Sequence, residues 1–450
     1  MKWATTSRSA LKVVIWLVCA FVITTPAAAA TRYVRAGASG AANGSDWANA
    51  YPSLPTTLTR GDTYYVAAGN YGGYRFSTAA SGTTLITIKR ATVADHGTST
   101  GWSDSFGQGQ ALFTGSWDFS SSYWLVDGQV GGGPGSWTSG FGFKVKQIAD
   151  NVISIGNNAG NITIRHVEAE GNGGDGDGGS GDNDIFNNYT AGTRNVTVSY
   201  AYFYNSGRCI FFSRGSNMTF EYIYTGYHES TPAQHSELAS IWTGSPDPRP
   251  TNYTFRYNVF THAEGTGGLI MDGDGLYVYG NVFYRPTGDN WEHGNGLIGT
   301  WTVNRLTQAK VYNNTFINLN TGWSILGTLF TAPTTGNEVR NNLFYGSTSI
   351  GGLGSLFPTF SHNYYVDTSA LNLTETGKMT GSGNPFNNYP ALDFRLKAAG
   401  PAGTPLGAPY DRDMYGTVRG SGGAWGRGAV EFGGGTTTTS PASPSSLSLN

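Results

Sequence analysis

A short internal repeat constrains this chain more than any other feature. An Asn-x-aromatic step recurs at Asn258-Val-Phe260, Asn281-Val-Phe283, Asn314-Thr-Phe316, Asn342-Leu-Phe344 and Asn363-Tyr-Tyr365, with weaker copies at Ala201-Tyr-Phe203 and Tyr222-Ile-Tyr224. Its aromatic positions are spaced by 21, 36, 23, 33, 28 and 21 residues. A constant step at varying spacing is what insertions into a stack of equivalent units produce. Alternating apolar segments precede many copies, as in NITIRHV, NVTVSYA, NMTFEYI and NYTFRYN, so the step reads as the close of a strand. Second short apolar runs follow: DIF, CIFF, LASIW, GLIM, GLIG and SILGTLF. Two or three brief strands per repeat, with Gly and Asn between them and no helical period, describe one coil of a parallel β-solenoid.

Composition agrees. Only 12% of the residues are charged, against about 25% in ordinary soluble domains. Helical bundles and nucleic-acid binders need more charge than this. The 66 glycines lack a G-X-Y period, which excludes collagen. Gly and Asn are the residues that enter left-handed corners most cheaply. The N-x-T triplets are formal glycosylation sequons, but the repeat places each Asn at a corner and each Thr on a strand.

The ends read as separate from the fold. Residues 1–30 have the layout of an export signal: Lys2, Arg8 and Lys12, an apolar stretch from Val13 to Thr24 too short to span a bilayer, and small residues up to Ala30. Cys19 belongs to that stretch. The expectation is an exported protein at the cell surface, in the periplasm or outside the cell, with no membrane span in its mature part. Its 24 basic against 29 acidic side chains give a mature charge of −5 once three cations are removed. Only Cys209 then remains, so no intrachain disulfide forms, and its CIFF context marks it as a small buried hydrophobe. Residues 433–450 have linker composition. The expected β-helix domain is 31–432, in a monomer.

The chain resembles the right-handed parallel β-helix superfamily of secreted polysaccharide lyases and hydrolases, the pectin lyase-like proteins. The resemblance is carried by RYVRAGASGAANGSDWANAY with GDTYYVAAGNY near the start, and by Asp413-x-x-Gly416-x-x-Arg419 with Gly428-Ala-Val-Glu431 near the end. It implies an all-β, single-stranded right-handed β-helix acting on glycans, and leaves the chemistry to the site.

Residues preceding the second apolar run of each repeat form one polar ladder: Asp182-Asn-Asp184, Gly207-Arg208, His235-Ser-Glu237, Glu264 and Glu292-His293-Gly-Asn295. Insertions at Gly171–Gly181, Tyr227–Gln234 and Arg285–Trp291 enter this same corner, where a solenoid raises cleft walls. His235 and Glu237, two apart on a strand, point to one side, and a carboxylate beside an imidazole suits acid–base work. The expected catalytic set is His235, Glu237, His293, Arg208 and Glu264. Arg208 either binds a substrate carboxylate or ties acids together. Trp291, Glu292 and Asn295 are the expected substrate contacts, whereas Trp242 and Trp323 adjoin strands and read as core. Asp175, Asp177, Asp182 and Asp184 among glycines suit Ca²⁺, with a solvated acidic loop as the alternative; no organic cofactor is expected. Asp272 and Asp274 read as a turn.

Three functions compete: Ca²⁺-assisted β-elimination of an acidic polysaccharide, glycoside hydrolysis by paired carboxylates such as Glu237 with Glu264 or Asp184, and non-catalytic glycan binding by a surface protein or adhesin. The polygalacturonase pattern of N-T-D, D-D and G-H-G is not present.

Overall fold

The computed structural model describes residues 1, 29–173, 183–228, 237–243, 248–262, 267–288, 297–300, 305–319, 325–326, 335–348, 350, 357–368 and 374–433. Among these, twenty-eight strands form one continuous set in which every printed pairing is parallel, as a β-helix requires; one antiparallel pair, Phe386–Asn388 with Asp393–Leu396, lies outside it.

Each rung contributes up to three strands, so the coil has three faces. The first runs from Thr31–Val34 and Thr63–Val66 through Ile86–Arg90, Trp124–Asp127, the early parts of Ile162–Glu170, Arg194–Tyr204 and Ser216–Thr225, then Thr251–Arg256, Gly273–Tyr279, Lys310–Tyr312, Glu338–Arg340 and Thr359–Ser361. The second includes Phe143–Lys146, the late parts of the same three long strands, Val259–Phe260, Val282–Tyr284, Thr315–Ile317, Leu343–Tyr345 and Tyr364–Val366. The third stacks Ile153–Ile155, Phe186–Asn188, Phe211–Ser213, Glu237–Ile241, Gly267–Met271 and Ile298–Gly299.

The corners explain the sequence bias. Asn161, Asn195, Asn217 and Asn252 share one row and all are left-handed, with φ of +54° to +59°. Their side chains hydrogen-bond from rung to rung at 3.0–3.1 Å. The partnered Thr163, Thr197, Thr219 and Thr254 follow on the first face, as expected. The row then passes to Gly275, φ +79°, where an added Cβ would sit 3.0 Å from the Asn252 oxygen.

The next corner departs from expectation, because its left-handed positions include His166, Tyr200, Tyr222 and Tyr257. Bulky residues pay about 1–2 kcal/mol there. Ring stacking offsets it: successive centroids lie 4.9, 4.7 and 5.2 Å apart.

Immediately after this corner stands the repeated Asn, which therefore opens the second-face strand and does not close the first. Asn258, Asn281, Asn314, Asn342 and Asn363 are all fully buried. In each of the first four, the backbone N–H and the side-chain Nδ2 both donate to Oδ1 of the next Asn, at 2.8–3.1 Å. The second Nδ2 hydrogen goes back to a first-face carbonyl of the previous rung, from Phe220, Phe255, Val278 or Val311. Every amide donor of these four is thus used, and the oxygens of Asn281, Asn314, Asn342 and Asn363 each accept two bonds, while that of Asn258 accepts the Ile223 N–H. Asn363 has no further Asn to donate to, and the Glu375 carboxylate accepts both of its bonds, at 2.8 and 3.2 Å. The inward aromatics two residues on form the parallel stack Phe283, Phe316, Phe344 and Tyr365, at 5.0, 4.7 and 5.2 Å.

The C-terminal segment lies along the outside of the first and second faces and does not cap an end. Tyr279, Tyr284 and Tyr312 pack with Phe386, Phe394, Met414 and Val430. Trp425 donates to Asn313, and the Ala429 N–H to Thr315. Asp413 accepts the N–H groups of Tyr415, Thr417 and Glu431, while buried Arg419 donates to the Ala429 carbonyl. The Asp-Gly-Arg and Gly-Ala-Val-Glu motifs are therefore a fastening for this segment, which covers one outer surface. Cys209 is buried, as expected.

Removing a buried partner costs about 1–3 kcal/mol for each group left unsatisfied. Asn314→Ala strands the two Asn281 donors and takes the Nδ2 bond from the Val278 carbonyl, while the Asn342 oxygen keeps the backbone N–H of residue 314, so denaturant unfolding should show a loss of at least about 3 kcal/mol. Asn217→Gly, in the exposed row, should cost less than about 1 kcal/mol. Equal costs would contradict the role given to the buried row.

Candidate functional site

The third face carries the polar ladder, and the strand register decides who faces whom. Phe186 opposes Phe211, Phe211 opposes Ala239, and Glu237 opposes Gly267. Two residues upstream of the Phe pair, Asp184, Cys209 and Glu237 therefore occupy one row. Chain order brings each there from the second face: the strands ending at Glu170, Tyr204 and Thr225 are followed on the third face by those starting at Phe186, Phe211 and Glu237.

Asp184 is fully buried and its carboxylate is saturated. Arg208 grips it with Nε at 2.9 Å and Nη2 at 2.5 Å, Asn187 donates at 2.5 Å, and the Cys209 N–H donates at 3.1 Å. Burial pushes the Asp184 carboxyl pKa upward, with Arg208 opposing. Burial alone would lower the Arg208 pKa, but the hydrogen bonds and charge of Asp184 outweigh it and hold the guanidinium above its ordinary value. Arg208 also lies 4.8 Å over the Phe212 ring and donates to the Tyr189 hydroxyl at 2.9 Å.

These contacts correct two expectations. Asp184 has no oxygen to spare for Ca²⁺, nor for pairing with Glu237 in hydrolysis. Arg208 ties down one acid, Asp184, and not two. Among the described residues no group of three or more His, Cys, Asp or Glu side chains is placed to hold a metal. Asp175, Asp177 and Asp182 lie outside the described residues, as do His235, Glu264, Trp291, Glu292, His293, Asn295 and Trp323. The export signal, apart from its first and last residues, and the tail beyond Gly433 lie outside them as well.

Glu237 is described. It is buried at the start of its strand, and the Cys209 thiol lies 3.6 Å from its Oε2. Burial raises the Cys209 pKa further, helped by the charges of Glu237 and Asp184, so the thiol stays protonated and donates to that carboxylate. Trp242, expected in the core, instead sits partly exposed after the strand. Asp272 and Asp274 are more than a turn, since Arg249 pairs with Asp272 and Arg305 with Asp274.

One ionic cluster escaped the sequence reading. On the second face Lys144 opposes Glu168, Lys146 opposes Glu170, and Tyr204 follows in the latter row. Lys144 contacts Glu168 and Glu170, each at 2.7 Å, and Tyr204 lies 2.8 and 2.9 Å from the same two carboxylates. Its signal was present as the alternating charges of FKVK and VEAE, but those strands precede the clear copies of the repeat. Burial would raise the Glu170 pKa, yet Lys144, Lys146 and Tyr204 bring it below the ordinary range. Burial and the two carboxylates push the Tyr204 hydroxyl upward. Each group of this cluster is engaged by another, and it reads as a brace between rungs.

No family model and no curated protein sequence matches the chain. Among solved structures, it is similar to one described as pectate lyase Pel9A, at 13% identity and a TM-score of 0.42, covering 90% of this chain and 97% of that one. A second is a PL6 family polysaccharide lyase, Pedsa3628 from Pseudopedobacter saltans, at 13% identity and a TM-score of 0.29, covering 78% and 94%. Likenesses this remote assign neither an activity nor residues. No helix among the described residues is long and apolar enough to cross a membrane.

Two measurements test the charge assignments. Arg208→Met leaves Asp184 buried and unpaired, at a cost of about 3–5 kcal/mol, whereas Arg208→Met with Asp184→Leu should recover most of the loss in denaturant unfolding. For the brace, a carboxyl with a depressed folded pKa contributes stability that is complete above its unfolded value, about 4.3, and disappears as pH falls through the folded value. Lys144→Met should therefore flatten the decline of stability below pH ~4.3; an unchanged acid limb would contradict the pairing.

Proposed function

We propose that the protein is exported and cleaves an acidic extracellular polysaccharide by β-elimination, at the third-face corner around Glu237. The observation that carries this reading is Glu237 itself, a carboxylate buried in the row it shares with Cys209 and Asp184. Burying a carboxylate is costly, and such groups concentrate where chemistry is done. His235 stands two residues before it in the sequence, the spacing that puts two side chains of a strand on one side.

In this reading His235 takes the proton from the carbon beside a uronate carboxyl. The electron pair of that C–H bond forms a C=C bond, and the glycosidic oxygen departs with its own pair. Glu237 orients the imidazole and favours its protonated form. Arg208 has its charge compensated by Asp184, so its part is to hold the row in place. Calcium is given no step, because Asp184 does not fit as a ligand. Of the two carboxylate pairs that hydrolysis could use, Glu237 with Asp184 is excluded because the Asp184 oxygens are already taken.

The test is incubation with a panel of acidic and neutral polysaccharides, following unsaturated-product absorbance and reducing ends together. Elimination should give both signals on an acidic polymer, and His235→Ala or Glu237→Gln should lower turnover at least about 100-fold in a folded protein. Reducing ends without absorbance would replace elimination by hydrolysis. Full activity in both variants would move the reaction elsewhere, and binding without any product would make the protein a glycan binder.

A further inference from the structure

We infer that the far edge of the third face holds a separate binding position for an anionic sugar residue, built around Arg214. It rests on the acidic-glycan reading above and extends it away from the reaction corner.

The register that pairs Asn188 with Ser213, Ser213 with Ile241 and Ile241 with Met271 continues by one residue into Tyr189, Arg214, Trp242 and Asp272. These four stand in one row on successive rungs, about 4.8 Å apart. The Arg214 guanidinium carbon lies 5.4 Å from the Tyr189 ring, 5.6 Å from Phe212 and 5.9 Å from Trp242. Three rings hold it, and among the described residues no hydrogen bond or ion pair engages it. Its Nε is buried without a partner.

The neighbouring cations are all occupied. Arg208, on the same Phe212 ring, is taken by Asp184; Arg249 and Arg305 are taken by Asp272 and Asp274. An unsatisfied buried donor costs about 1–3 kcal/mol, and ring contacts return about 0.5–2 kcal/mol. Such an arrangement keeps the guanidinium fixed while leaving its donors for an external acceptor. The planar fork matches a carboxylate or a sulfate in bidentate fashion. Tyr189, 43% exposed, offers an apolar ring face for the C–H side of a pyranose. A glycan unit carrying an acid group satisfies both halves at once. In a chain of net charge −2, an uncompensated cation also draws such a polymer to this edge.

The position lies along the strand from the reaction corner and adjoins it through the Phe212 and Tyr189 rings, which Arg208 and Arg214 share. Trp242 follows the strand that Glu237 opens, and five residues of extended chain span roughly 15 Å, more than one sugar ring.

The test uses the full-length protein and three polymers: polygalacturonate, dextran sulfate and neutral dextran, with affinity measured by calorimetry across salt concentrations. Arg214→Gln should weaken binding of at least one anionic polymer tenfold or more and reduce its salt dependence, with dextran binding and melting temperature unchanged. Which anionic polymer suffers tells whether a carboxylate or a sulfate is recognised. Arg214→Lys, which keeps the charge and loses the fork, should show a smaller loss and covers the case in which the Gln variant does not fold. A folded Arg214→Gln protein that binds both anionic polymers as the parent does would overturn the position, as would a parent that binds neither. Arg214-dependent binding without product formation would keep this position and overturn the cleavage reading; product formation with Arg214-independent binding would do the reverse.

Discussion

The buried asparagine row is the interaction on which the rest of the structure depends. A solenoid turns a corner at every rung, and each turn removes backbone groups from the strand ladders while keeping them away from water. Asn258 to Asn363 solve this by making each side-chain amide the partner of its own neighbours, so that a corner is satisfied only when the next rung is stacked on it. That condition fixes register. A slip of one residue would place an unpaired amide in the core and turn the aromatic stack outward. The row also needs an end, and Glu375 supplies an acceptor without donors of its own.

Fixed register in turn decides where function can sit. The C-terminal segment is fastened to the corner between the first and second faces, and to the outer second face, through Asn313, Thr315 and Asn341, so that surface is occupied by the protein itself. The Lys144, Glu168, Glu170 and Tyr204 cluster is fully engaged with itself. The third face differs: it carries the buried carboxylates Asp184 and Glu237 at one edge and Arg214 with three rings at the other. Groups that are expensive to bury are gathered on the face that the closing segment leaves alone.

Much of the fold was legible in the sequence. The repeat predicted parallel rungs, Gly and Asn predicted the left-handed corners, and CIFF predicted a buried Cys209. What failed did so for identifiable reasons. Tyr200, Tyr222 and Tyr257 turn a corner because they stack on each other, a gain visible only once three rungs are superposed. The repeated Asn was placed at the wrong end of its strand, since a pattern of strand and break does not say on which side of the break the polar residue lies. The site was less legible still. Aligning the repeats brought Asp184, Arg208 and Glu237 to one edge but could not show that Arg208 would consume both oxygens of Asp184. Trp242, which ends the apolar run LASIW, reads as core until its row is known, and Arg214 gains its meaning only from the rings that the same row brings to it.

The central claim is that the third face is the glycan-binding face. Hydroxyl-radical footprinting of the full-length protein, with and without saturating polygalacturonate or dextran sulfate, tests it most directly because it reads the exposure of individual rings. The account predicts that Tyr189 and Trp242 lose reactivity when the anionic polymer binds, while Tyr65 and Tyr345, on the first and second faces, keep theirs. Protection confined to those other faces, with Tyr189 and Trp242 unchanged, would contradict it.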